Sequence, residues 1–204
     1  MKSASNKISI ILPAIAVIAA VFTGCQKPEL VPSIADNANP ATDKMISTPD
    51  VPVEIAVPAG NKLLYHCYAS GVQIYQATES TTTPGQYVWT FVAPSATLYE
   101  KADYTKQAGT HYAGPTWEAT VGPKKNLFVV GMKLSSVTED ATAVPWLLLQ
   151  AVPGTDAGNF LKITFIQRLY TTGGLAPATF PTADQLGMQV SIPYTAEYYF
   201  FGEK

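Results

Sequence analysis

Three side chains stand out as able to do chemistry: His111, Glu118 and Arg168. His111 and Glu118 fall on neighbouring predicted strands that flank Gly114-Pro115, Trp117 adjoins the carboxylate, and Arg168 is the only arginine in the chain. In an acid–base reading, Glu118 would take or give a proton, tuned by a ring or by Arg168, with His111 as its partner. In a structural reading, Glu118 and Arg168 form an ion pair beneath Trp117 while His111 caps the turn, since ion-pair networks perturb titrating groups much as active sites do. Arg168 lies mid-strand between Gln167 and Leu169, and Glu118 lies in an otherwise apolar strand. Each would need a partner if it faced the protein. Both readings therefore expect Trp117, Glu118 and Arg168 in contact, with His111 at the mouth of a depression also lined by Gln73 or Tyr75.

Other chemistries find less support. His66 and His111 are isolated from one another and from other ligand types at zinc spacing, and no acidic loop resembles a calcium hand, so neither metal nor cofactor is expected. A dinucleotide would need a glycine-rich strand-to-helix turn, and a serine nucleophile would need its elbow; the sequence has neither. Cys67 reads as a small buried hydrophobe in its strand, with His66 on the opposite face. With 13 basic against 15 acidic side chains and a single basic pair, Lys124-Lys125, the charge balance argues against nucleic acid. Binding is the class left open. Eleven tyrosines, eight phenylalanines and three tryptophans suit a surface that stacks on a polysaccharide or docks an envelope protein, although any β core uses the same rings.

The elements that must position these residues are strands. Residues 62–68, 72–76, 86–93, 110–113, 116–121, 127–135, 146–152, 160–171, 188–192 and 194–201 are rich in Val, Ile, Thr and aromatic residues and are separated by Gly- and Pro-containing turns. About ten such strands predict a single all-β domain, a sandwich or a barrel-like fold with long loops. Residues 139–143 and 182–186 alone have room for a helical turn. In the last strand Tyr194, Ala196, Tyr198 and Phe200 share one side while Tyr199 and Phe201 share the other, so both faces are apolar and the strand should be central. Trp146-Leu147-Leu148-Leu149 likewise reads as a strand covered on both sides.

The N-terminal part has a different composition. An apolar run over residues 8–22 follows Lys2 and Lys7, contains Pro13 and ends at Thr23-Gly24-Cys25. It is shorter than the ~20 apolar residues that cross a membrane, so residues 1–24 read as a signal peptide. Phe22-Thr23-Gly24-Cys25 resembles a bacterial lipobox, with Phe22 its one departure; the resemblance implies acylation of Cys25 and anchoring in the membrane. Gln26 after the cysteine favours the outer membrane of a Gram-negative-type cell envelope. Residues 25–52, with prolines at 28, 32, 40, 49 and 52, read as the lipid anchor and a disordered tether. Such a coil reaches roughly 25–30 Å. Only residues 51–57 could pack on the domain, which spans residues 53–204.

Four segments then carry a resemblance: Gly71-Val72-Gln73-Ile74-Tyr75, the run from His111 to Glu118, Pro145-Trp146-Leu147-Leu148-Leu149, and Gln167-Arg168-Leu169 through Gly173-Gly174 to Ala176-Pro177-Ala178. In this order they are similar to the secreted-protein family catalogued as domain of unknown function 3455, from about Ala59 to Phe201. The resemblance implies a secreted protein with no established activity. It also implies a cysteine pair in many relatives near the positions held here by Ala77 and Phe180.

Overall fold

The computed structural model describes residues 47–122, 125–154 and 162–204. Cys25, the signal peptide and most of the tether lie outside these. Eight strands form the domain: β1 (Asn61–Glu79), β2 (Tyr87–Tyr99), β3 (Gln107–Tyr112), β4 (Thr116–Ala119), β5 (Phe128–Val137), β6 (Trp146–Ala151), β7 (Ile163–Gly173) and β8 (Gln189–Glu203). Each pairs antiparallel with the next, and β8 pairs back on β1, closing a barrel. Closure removes both sheet edges, which is how an aromatic-rich β domain avoids strand addition.

The expected ten strands become eight because two interruptions are bridged. Gly71 continues β1: a side chain there would lie 2.2 Å from the Ser95 carbonyl oxygen and 2.4 Å from the Ala96 Cα, so glycine lets β1 and β2 close on each other. Pro193 continues β8 just beyond the last β7 pair, Gly173 with Tyr194, where β8 has lost one neighbour and a missing N–H is tolerated. Register shifts in β1–β2, β1–β8, β2–β3, β5–β6 and β7–β8 supply the curvature a closed sheet needs. The expected helical turn in the β7–β8 connection is a 3₁₀ turn, Ala183–Gln185, held by a capping box from Thr182 and Gln185.

Period-two alternation sorts the strands into two cores. Cys67, Leu98, Trp117, Leu149, Ile166, Tyr198 and Phe200 fill the barrel interior. A second cluster, Leu148, Leu169, Tyr199 and Phe201 with Trp146, lies on the outer wall, where Ile55 and its neighbours Val51 and Val57 cover it. The 3₁₀ turn Val53–Ile55 seats this cover, and Ser135 and Gln167 donate to the Glu54 and Ile55 carbonyls at 2.6 and 2.7 Å. The two apolar faces of β6 and β8 thus have separate physical causes: one faces the barrel core, the other the N-terminal segment.

Candidate functional site

Antiparallel order puts the end of β1, the β3–β4 turn, the start of β6 and the end of β7 at one end of the barrel. These are the places where the four sequence segments fall. Strand parity then decides which residue of each segment enters. Cross-strand partners share a face, so the chain of pairs Ala96–His111–Trp117–Val129 and Leu147–Arg168–Tyr198–Cys67 places all of these side chains inside.

His111 is 3% exposed, and its Nδ1 lies 2.8 Å from the Thr116 carbonyl oxygen. A carbonyl only accepts, so Nδ1 carries a proton. Burial pushes its pKa down to about 3; the bond to Thr116 opposes this, and the positive charge of Arg168 adds to it. The ring stacks on Trp117 (centroids 4.4 Å apart, 13° between planes) and tilts against Tyr198 at 5.0 Å. Arg168 donates from Nε and Nη2 to the Pro145 carbonyl at 3.1 and 2.8 Å, and is the cross-strand partner of Tyr198. Tyr75 donates its hydroxyl to the Gly174 carbonyl at 2.7 Å. Gly174, with φ +80°, presses directly on this group: a Cβ there would lie 2.8 Å from the Tyr194 Cβ and 3.0 Å from the Gln73 Cγ. The β7–β8 connection is further fixed by the Trp89 indole, which donates to the Thr179 carbonyl at 2.9 Å, and by paired backbone bonds of Ala77 with Gly187 and Met188. The stretch between Ala77 and Phe180 is therefore held here without a cross-link.

Gln73, His111, Trp117 and Arg168 share the interior, with Tyr75 buried beside Gly174. Two expectations are corrected. Glu118 does not meet Trp117 or Arg168, because consecutive residues of a strand point to opposite faces. It lies on the outer wall, where the exposed Tyr112 hydroxyl donates to it at 2.8 Å. Among the described residues the ion pairs are His66–Glu197 and Lys106–Glu100, and Arg168 pairs with no carboxylate. His111 is likewise not at a mouth; it is packed in the core. Gln167, adjacent to Arg168, also faces outward, to the Ile55 carbonyl.

Sequence reasoning missed a cluster on the outer wall of β1 and β8. His66 Nε2 lies 2.8 Å from Glu197 Oε2, Tyr199 donates to the same oxygen at 2.7 Å, and the imidazole stacks on Tyr199 at 4.1 Å. Burial raises the Glu197 pKa, but the bonds from His66 and Tyr199 outweigh it and hold the carboxyl below its usual range. The signal was available in part, since Glu197 is the one carboxylate in the aromatic stretch 194–201. Between these clusters Cys67 is fully buried and its thiol pKa is pushed up by desolvation, as a packing residue requires.

The fold and these contacts define a closed, antiparallel, eight-stranded barrel whose interior is rich in hydrogen-bond donors at one end. The chain belongs to the family described as protein of unknown function DUF3455, whose model matches residues 58–202. Neither a curated protein nor a solved structure shows a match.

Proposed function

We propose that this protein is an envelope lipoprotein whose barrel is a non-catalytic binding module for a polysaccharide or an envelope protein. The observation that supports it is the split of the acid–base pair that the sequence pointed to, Glu118 and His111. Glu118 is on the outer wall, His111 is sealed inside as a neutral ring, and the wall of the barrel stands between them. A general acid and base must reach one substrate, whereas a binding module needs only a preformed set of polar and aromatic contacts.

Acylated Cys25 and the Pro-rich tether would hold the barrel clear of the outer membrane. Replacing Cys25 with Ser should move the protein from the membrane fraction to the soluble one and abolish lipid labelling. A variant that still sedimented with membranes would remove the anchor from this reading. For the binding role, the full-length protein, extracted in detergent, is to be presented with a panel of envelope polysaccharides and proteins. Retention without any change in polymer length is expected. Turnover above background would instead favour a hydrolase or lyase.

A further inference from the structure

The outer wall carries a row of aromatic rings that runs across the strands. Trp146 meets Tyr170 edge-on at 5.0 Å, Tyr170 meets Tyr199 at 6.4 Å, and the Tyr199–His66 stack leads on to Tyr68 at 4.6 Å. Tyr68 is the cross-strand partner of Tyr99, on which Tyr104 packs edge-on at 5.4 Å. The row thus crosses β6, β7, β8, β1 and β2, roughly 19 Å of wall at ~4.8 Å per strand. Tyr199 is its buried floor; Tyr170 and Tyr104 are 43% and 39% exposed, and the other rings are half-buried.

Its two most exposed rings stand on strained backbone. Tyr104 and Tyr170 are left-handed, at φ +56° and +48°, a region that aromatic residues rarely adopt. At Tyr170 the cause is a bulge: Leu169 lies opposite Glu197 and Thr172 opposite Thr195, so two residues, Tyr170 and Thr171, stand against Ala196 alone. Thr171 takes the inward place and donates to the Val144 carbonyl at 2.6 Å, while Tyr170 is turned out onto the row. A regular pleat would have pointed that ring into the barrel. Strain held at two points, each delivering an exposed ring to the same row, points to a use for the row. Nor is the row purely apolar. Glu197 lies within it with 25% of its side chain exposed; His66 and Tyr199 both engage Oε2, and Oε1 has no hydrogen-bond partner among the described residues. Alongside, strand register lines up Thr97, Ser70, Thr195 and Thr172 into a second row, of hydroxyls.

We propose that this face binds a neutral polysaccharide laid across the strands, with sugar rings on the aromatic row and sugar hydroxyls on Glu197 and the hydroxyl row. The inference rests on the binding reading above and names its surface and its ligand. A sugar ring has an apolar C–H face and a polar edge, and the two rows offer that pairing. An apolar protein patch would instead cover the free Glu197 oxygen without a donor, and a glycan with a negative charge on each sugar would be repelled by Glu197.

The test is calorimetric titration of the detergent-extracted full-length protein with neutral hexasaccharides of glucose, mannose and N-acetylglucosamine, and with hexagalacturonate. At least one neutral hexasaccharide should bind, more tightly than its own disaccharide and more tightly than hexagalacturonate. Tyr170→Gly removes the ring at a backbone angle that glycine adopts freely, so it should keep the fold, read by circular dichroism, and weaken that binding about threefold to tenfold. Tyr104→Gly should do the same, and Tyr170→Phe, which keeps the ring, should keep most of the affinity. Three results would each overturn the proposal: no neutral hexasaccharide bound by the folded wild type, tighter binding of hexagalacturonate, or affinity unchanged by both Tyr170→Gly and Tyr104→Gly. Retention of an envelope protein in place of every hexasaccharide, or of a polysaccharide indifferent to both glycine variants, would overturn it while leaving the binding reading intact. Shortening of a hexasaccharide would overturn the non-catalytic reading alone, because the effect of the tyrosine variants on affinity is measured separately.

Discussion

The barrel holds two histidine–aromatic stacks of nearly identical geometry and opposite character. Inside, His111 lies on Trp117 with centroids 4.4 Å apart and 13° between planes; outside, His66 lies on Tyr199 at 4.1 Å and 14°. What differs is the partner of the ring nitrogen. His111 meets a backbone carbonyl in a core that excludes water, and so is held neutral. His66 meets the Glu197 carboxylate on a part-exposed wall. A stacked histidine is thus not a functional signature in itself; its partner and its burial set its environment.

The largest expected effect is on the inner stack. Trp117→Ala should destabilise the fold by about 3–5 kcal/mol, read as a lower urea midpoint at unchanged slope, because it opens a cavity among His111, Tyr198 and Phe200. The next sharpens the contrast in titration. The folded-state pKa of His111 is depressed to about 3 from 6.5, so its contribution to stability is complete above 6.5 and is lost as the pH falls through the window between these values. From pH 7 to 5 the wild type should lose about 2 kcal/mol that His111→Phe does not lose. Equal pH slopes in the two proteins would show that the inner ring titrates freely. A smaller effect belongs to the outer wall: Gln167→Leu leaves the Ile55 carbonyl without its donor and should cost about 1–3 kcal/mol. It should also make the segment around Ile55 more sensitive to proteolysis.

Alternation made much of this legible. Period two separated Tyr198 and Phe200 from Tyr199 and Phe201, and required β8 to be covered on both sides, which the closed barrel and the N-terminal segment provide. The same rule, applied to Trp117 and Glu118, would have kept them apart, since neighbours in a strand cannot both point at Arg168. A lone arginine facing the protein suggests a carboxylate beside it, but the Pro145 carbonyl takes that place instead. Register between distant strands is another matter. His66 and Glu197 are 131 residues apart and meet only because β1 and β8 close the barrel at one particular offset. Nothing local in either strand encodes that offset. The placement of Gly174 on Gln73 and Tyr194 depends on a loop path in the same way.

The central claim is that the barrel binds its ligand while the outer carboxylate Glu118 does no chemistry. Glu118 lies part-exposed on the outer wall, with a hydrogen bond from the exposed Tyr112, so Glu118→Gln should change stability by no more than about 0.5 kcal/mol. The most direct measurement compares Glu118→Gln, shown to be folded, with the wild type for affinity to a retained envelope polysaccharide, with product release followed in the same samples. The binding reading predicts wild-type affinity for Glu118→Gln and no product from either protein. Product from the wild type that disappears in Glu118→Gln while binding persists would contradict it.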